Sequence, residues 1–395
     1  MKTYLVGGAV RDQLLELPVH ERDWVVVGAS EAQLLDAGFT RVEADFPVFI
    51  HPQSGEEYAL ARTEEKTGPG YKGFRIHAGP EVTLEQDLRR RDLTINALAM
   101  DEQGRIIDIC NGREDLEEGL LRHITPAFVE DPVRLLRIAR FAAKLGQWGF
   151  RVAHGTYGLM KKMAAGDDLL ALTPERFFQE MWKALGENQP WRFFEVLQRC
   201  GALQRLVPEL SLCMGQQDSH QSRREVDAMA ALKRVAKLSD EPETRFAVAL
   251  YPAVRLAEDT DAFLARLRTG RQARMRLEDL LQCLPLVERE TPAGSLLQIV
   301  KQLKPERQAE RFTGFLQALH ALLPERAAEI EHGLLTAREV VNATDVASLR
   351  AQGLEGAALG LALARHQLLR LTERLDTRSR EDPESAAVDH RDNYS

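Results

Sequence analysis

The sequence predicts an α+β fold: a mixed head of short strands and helices, followed by an all-helical remainder. Three observations carry this. Across the first 125 residues, short β-branched runs alternate with glycine-containing turns such as "GG", "GPG" and "NG". From about residue 126, apolar residues recur at three- and four-residue spacing, the period of an amphipathic helix. Between residues 211 and 375 no strand-like run of useful length appears.

In order along the head, "YLV" (4–6), "WVVV" (24–27), "FPVFI" (46–50), "EYALART" (57–63) and "RIIDI" (105–109) read as strands. "AVRDQLLEL" (9–17) and "LTINALAM" (93–100) read as helices between them. Beyond the head, "DPVRLLRIARFAAKLG" predicts a helix stopping at Gly146. "TPERFFQEMWKAL" opens with Thr173 as N-cap, Pro174 at the first helical position and Glu175 in the first turn. "PWRFFEVLQRCGALQRLVPEL" continues in the same style, and helical patterning persists with breaks near "SDEPET", "ETPAGS" and "LKPE". The last stretch, "DTRSREDPESAAVDHRDNYS", has almost no core-forming residues and reads as disordered. The expected divisions are a head at 1–125, helical segments at 126–210 and 211–375, and a disordered tail at 376–395.

A chain of 395 residues is long enough for two or three domains with separate cores. Hydrophobic content of 44% and charged content of 28% are those of a soluble globular protein. Cys110, Cys200, Cys213 and Cys283 form no C-x-x-C and read as reduced thiols. The N-terminal apolar run is interrupted by Arg11 and Asp12, which argues against a signal peptide, and no stretch has the length of a membrane span. A cytoplasmic protein without membrane contact is expected. Net charge is -8, but basic residues cluster in "LRRRDL" (88–93) and "RLLRIARFAAK" (134–144), so a phosphate backbone is not excluded as a partner.

Four constellations bear on chemistry. In "ERDWVVVGAS" (21–30), Glu21 and Asp23 share one face if the run is a strand; they are either a metal pair or a solvated strand start. In "GGAVRD" (7–12), two glycines allow a sharp turn into a helix whose free N–H groups can face an anion, and Arg11 can add a charged fork. Acids beside a phosphate cradle suit two-metal nucleotidyl transfer, because Mg²⁺ prefers carboxylate and phosphate oxygens. In "RRRDLTINALA" (89–99), Arg90, Arg91 and Asp92 crowd the expected helix start, either as a solvated turn or as triphosphate and ribose contacts. In "EDPVRLLRIAR" (130–140), Glu130 and Asp131 begin a helix whose Arg134, Arg137 and Arg140 fall close to one face. An Asp with an Arg can match the Watson–Crick edge of a base, so protein could stand in for a template.

These motifs, with "ART" at 61–63 and "DFPVFIHPQSGEEYALARTEEKTGPGY" (45–71), occur in the order and spacing of the class II tRNA nucleotidyltransferase family. The chain resembles its proteobacterial CCA-adding members most closely, well over residues 1–210 and poorly beyond. The resemblance implies a polymerase-beta-like head, a helical neck at 126–210 with the nucleotide-selecting helix, and a tRNA-binding body and tail at 211–375. It implies Mg²⁺-dependent addition of C, C and A to the 3′ end of tRNA from CTP and ATP, releasing pyrophosphate. No protein partner is implied. By position, Gly8 and Arg11 would hold the triphosphate, and Glu21 and Asp23 the Mg²⁺. Arg91, Arg137 and Arg140 would contact the nucleotide, and Asp131 and Arg134 would read the base. Glu57, with Glu56 as rival, stands where the family often has a third acid. "TEEKTGPGYKG" (63–73) matches the loop needed for the final A.

Two departures follow. The family's pair is Asp-x-Asp, and Glu21 puts the first carboxylate one methylene further out. Longer members carry a His-Asp phosphohydrolase domain; here Tyr251 and Pro252 stand where those ligands would be, and no His-Asp dipeptide occurs. This implies the form without phosphatase activity. The alternatives are a poly(A) polymerase or partial CC- or A-adding enzyme, and a non-catalytic RNA-binding relative disabled at Glu21.

Overall fold

The structure, a computed structural model, describes residues 1–42, 47–68, 73–214 and 227–381. Its contacts divide the chain into two units, Met1–Leu212 with Asp261–Arg268, and Cys213–Thr260 with Thr269–Ser395. The short excursion joins the first unit through ion pairs from Arg266 to Glu209 (2.7 Å) and from Arg268 to Glu175 (3.1 Å).

The first unit is built on a seven-stranded sheet. Its strands are β1 (Lys2–Val6), β2 (Asp23–Val27), β3 (Thr40–Val42), β4 (Val48–Ile50) and β5 (Glu57–Leu60). A separate hairpin pairs β6 (Arg62–Lys66) with β7 (Phe74–Ala78); β8 (Leu98–Met100) and β9 (Ile106–Asp108) return to the sheet. The order is β3-β4-β5-β2-β1-β8-β9, with β2 and β5 the parallel pair. The apolar run in β2 is continuous because both faces are covered. Val25 enters a cluster with Val6, Leu88 and Ala99, and Val26 enters one with Leu34, Phe39 and Phe49. Helices α1 (Gly8–Leu14), α2 (Glu31–Asp36), α3 (Leu84–Arg89) and α4 (Gly112–Glu117) complete the head, and Ser30 and Thr83 close capping boxes on α2 and α3. The short parallel pair β10 (Leu120–Leu121) and β11 (Arg151–Val152) flanks α5 (Val133–Leu145), and then come α6 (His154–Ala165), α7 (Pro174–Leu185) and α8 (Trp191–Cys200). α5 packs on both α7 and α8.

Several expectations need correction. "LTINALAM" is not a helix: Thr94–Asn96 form one 3₁₀ turn, and Leu98–Met100 are strand β8 between β1 and β9. Leu93 to Ala99 are all buried, so no exposed face remains to distinguish helical from extended periodicity. Arg90, Arg91 and Asp92 consequently follow the end of α3 and begin no helix. "EYALART" is two strands, because Ala61 donates its N–H to the Val26 carbonyl (2.8 Å) and the chain then leaves for the hairpin. Glu130 and Asp131 precede α5, with Asp131 extended at φ -119°. The first helix takes in Gly8. Phe46 in "FPVFI" and residues 69–72 of the "TEEKTGPGYKG" loop lie outside the described residues.

All regular elements described in the second unit are helical, from Ala228–Val235 to Gly356–Glu381. The last helix reaches Glu381, so the expected disordered tail opens inside a helix, and 382–395 lie outside the described residues. Tyr251 and Pro252 are buried within the helix Pro242–Leu256. Among the described residues no helix is long and apolar enough to cross a membrane.

Candidate active site

One cleft of about 930 Å³ in the first unit is lined by Gly8, Arg11, Glu21, Asp23, Arg91, Asp131, Arg134, Arg137 and Arg140. The residues proposed as nucleotide and metal contacts therefore meet, along with Glu57, Arg90 and Asp92, whereas Glu56 and Glu130 do not line the cleft.

The acids are set by strand register. β1 runs antiparallel to β2 until Val6 faces Asp23, where Gly7 turns at φ 70° and the ladder ends. Asp23 is therefore the first residue of β2. Glu21 lies two residues before it, outside the strand, and the expected pair on one strand is corrected to that extent. On the other side, parallel pairing sets Asp23 against Glu57. Glu56 precedes the strand and is engaged elsewhere, accepting a hydrogen bond from Trp24 Nε1 (2.9 Å) and pairing with Arg22 (3.7 Å). Glu57, not Glu56, lines the cleft. Burial raises the Asp23 carboxyl above its ordinary value; the Arg91 guanidinium opposes this and the Glu21 charge adds to it. Asp23 and Glu21 offer only oxygen donors, the chemistry a hard divalent cation prefers, although among the described residues no three acids stand close enough together to hold an ion.

Glycine is demanded at position 7, whose φ of 70° lies in the left-handed region. A Cβ on Gly7 would stand 2.9 Å from Arg91 Nη1, and one on Gly8 would stand 3.4 Å from Arg11 Nη2. Arg91 is held through Nη2 by Asp87 (3.1 Å), while its buried Nε has no hydrogen-bond partner. Arg11 is buried, with Nε on Asp12 (2.7 Å) and Nη1 on Asn96 (2.7 Å). It braces the turn from beneath.

Along α5, each arginine has a fixed neighbour. Arg134 Nη2 donates to the Arg90 carbonyl (3.0 Å), and Asp131 Oδ1 accepts from the Val133 N–H (3.0 Å). Arg137 gives its Nε to Asp92 (2.6 Å), and Arg140 gives its Nε to Glu180 on α7 (2.7 Å). Burial would raise the Asp92 carboxyl, but the Arg137 charge and hydrogen bonds from Asn96, Arg137 and Leu93 hold it well below the usual range. Asp92 thus orients Arg137, a partner the expected ribose contact did not include.

Sequence reasoning missed Asp87, Glu180, Lys144 and Phe141. Asp87 is fully buried and binds both Arg90 (2.7 Å) and Arg91 (3.1 Å); its signal was present as an acid three and four residues before them on α3. Arg90 also reaches Glu64 on β6 (2.7 Å), tying the hairpin to the cleft. Burial and the neighbouring Arg90 charge lower Arg62 to about 10, against the pull of Glu64 and Asp87. Glu180 and Lys144, which reaches Asp12 (3.1 Å), had no local signal because their partners are distant in sequence.

A strand-borne acid, a second acid in register with it, a glycine turn and an arginine-bearing helix meet on one cleft, a combination suited to nucleotidyl transfer. A model for the poly A polymerase head domain matches residues 3–122, and one for the probable RNA- and SrmB-binding site of polymerase A matches 149–214. A multifunctional CCA protein of Teredinibacter turnerae is 44% identical over 95% of this chain and 99% of its own. One from Thioalkalivibrio sulfidiphilus is 59% identical over 62% of this chain, a match spanning 61% of that relative. The solved apo structure of a CCA-adding enzyme shares the fold, with a TM-score of 0.70 at 21% identity, covering 95% of this chain and 92% of that one. The chain belongs to the class II tRNA nucleotidyltransferase family of CCA-adding enzymes, whose members generally use a divalent metal.

Proposed function

We infer that this chain adds and repairs the 3′-terminal CCA of tRNA, using CTP and ATP without a nucleic-acid template and releasing pyrophosphate. The observation that carries the reading is the single cleft that takes carboxylates from β2 and β5 and arginines from α5. Family membership supports it, as do the relatives named for CCA addition and the like-folded enzymes solved with ATP, with CTP and, from Thermotoga maritima, with tRNA.

Asp23 and Glu21 are the proposed Mg²⁺ donors, with Glu57 as a third acid. Bound Mg²⁺ supplies charge neutralisation at the attacking 3′-hydroxyl and the leaving pyrophosphate. Asp131 accepts from the base edge and Arg134 donates to it; the Val133 N–H and Arg176 hold the acceptor, and the Arg90 and Ala127 carbonyls hold the donor. Arg137 and Arg140 spend Nε on carboxylates, which leaves their terminal nitrogens for phosphate oxygens. Gly7 lets the backbone approach Arg91, whose Nη1 stands at that turn as a further donor for the triphosphate.

The test is tRNA lacking its 3′ CCA, incubated with Mg²⁺ and labelled CTP, ATP or both, with product length read on a gel. Two added nucleotides with CTP alone and three with both are expected. A tract of A from ATP alone would replace this reading with poly(A) synthesis. No extension under any condition would refute the enzyme reading.

A further inference from the structure

Phe141 is the one aromatic residue of α5, whose other inward positions are aliphatic. It is 5% exposed and lines the cleft. Three guanidinium groups gather on its ring: Arg140 at 4.5 Å from the centroid, Arg11 at 5.2 Å and Arg137 at 5.7 Å. Two come from its own helix and the third from α1 in the head. All lie within the range in which a ring quadrupole attracts a cation.

Packing alone does not account for this. The hydrogen bonds of Arg137 and Arg140 to Asp92 and Glu180 both use Nε. A guanidinium whose carboxylate contact is at Nε can still tilt as its aliphatic stem moves about that contact, so its plane is only partly set. The aromatic face supplies the missing constraint, because a cation–π contact fixes the plane while the carboxylate fixes the edge. The ring also offers negative potential to three like charges that crowd one site.

We propose that Phe141 is a positioning residue for the nucleotide, a π platform that orients Arg137 and Arg140, with Arg11 braced behind them, toward the triphosphate. This rests on the reading of the cleft as a nucleotide site. Phosphates are common to every nucleotide, so the ring governs affinity for CTP and ATP alike and leaves base choice to other residues.

The experiment replaces Phe141 in the full chain with phenylalanine analogues carrying one, two or five ring fluorines, which keep the shape and progressively cancel the quadrupole. F141L is the aliphatic control. Kd for CTP and for ATP is measured by titration without tRNA, and CMP and AMP incorporation is measured separately. Both Kd values should rise together with each fluorination, reaching about five- to thirtyfold for the pentafluoro ring. F141L should match that loss, while incorporation at saturating nucleotide stays within about twofold and discrimination against GTP and UTP is unchanged. Kd values flat across the fluorinated series would reduce the ring to packing and overturn the proposal, whether or not F141L folds. A shift in base discrimination without loss of affinity would overturn it too, placing the ring at the base. Failure of the unmodified protein to extend tRNA would strike the functional reading instead, since the Kd series is read without tRNA.

Discussion

Replacing Asp92 with asparagine is a sharp test of how the cleft is held together. Asp92 is 7% exposed; its Oδ1 accepts from the Leu93 N–H (2.9 Å) and Asn96 Nδ2 (3.1 Å), and its Oδ2 accepts from Arg137 Nε (2.6 Å). An asparagine that keeps its oxygen toward Leu93 and Asn96 sets its NH₂ against the Arg137 N–H, donor to donor. The flipped amide restores one contact with Arg137 and forfeits two neutral ones. Losing one charge-assisted hydrogen bond costs about 1.5–3 kcal/mol. Breaking a buried pair costs about 3–5 kcal/mol, but Arg137 keeps 38% of its side chain exposed and water softens its loss. About 2–3 kcal/mol is expected, a drop of about 4–12 °C in the melting temperature of a unit this size. The pH dependence has a definite sign. A carboxyl depressed in the native state contributes its full stability above the unfolded value of about 3.9, and loses it as pH falls through the depressed native value. The gap between unmodified protein and D92N should therefore stay constant from pH 7 to about 4 and narrow below that. Calorimetric unfolding across this range, with R137Q and the double variant, reads both effects. A gap under about 0.5 kcal/mol at neutral pH, or strictly additive single variants, would refute the coupling.

Other outcomes follow from the same cleft. Asp23→Ala should abolish CMP incorporation in single-turnover assays while leaving tRNA binding intact; Glu21→Ala should be severe and Glu21→Asp should retain measurable activity across a Mg²⁺ titration. Glu57→Gln should lower incorporation by more than tenfold, on the order of 1.4 kcal/mol or more, whereas Glu56→Gln should leave the rate unchanged and only loosen Trp24. Equal effects of the two glutamine variants would contradict the register argument. Asp131→Ala should relax choice among CTP, ATP, GTP and UTP more than it weakens binding, and unchanged selectivity in a four-nucleotide competition would sink that assignment.

Much of the fold was legible because it obeys simple periods. The run of valines in β2, the glycine turn after β1 and the amphipathic pattern of α5 each follow a local rule, and each appears where sequence places it. The reading of 93–100 failed where the local rule has nothing to act on. A strand buried on both faces in the middle of a sheet has the same apolar density as a short buried helix, and only the pairing with β1 and β9 decides. At the site, residue types and spacing in GGAVRD and EDPVRLLRIAR named the cleft's own lining. What sequence could not reveal is the layer behind it. Glu180 and Asn96 act only through partners that tertiary structure brings to them, as Arg140 is met by Glu180 from another helix, and Asp12, though next to Arg11, is also reached by Lys144 from α5.

That hidden layer explains how a chain of net charge -8 can present so many arginines on one surface. Arg11, Arg137 and Arg140 would repel one another if each stood alone, and burial would penalise each charge further. Every one is instead matched to a carboxylate: Asp12, Asp92 and Glu180 respectively. Arg90 and Arg91 share Asp87 in the same way. The cleft is therefore not a reservoir of surplus positive charge. It is a set of directed donors whose charges are already largely balanced from behind. Such an arrangement favours geometry over bulk electrostatics, since a ligand gains when its acceptors coincide with the donor directions left open. Glu21 fits the same logic. A carboxylate outside the strand, two residues before Asp23, is not fixed by the sheet, so in the proposed metal site a longer arm there would require no displacement of β2. The departure from Asp-x-Asp falls at the one member of the acid set that the strand ladder does not hold, which is where a change of side-chain length disturbs the fold least.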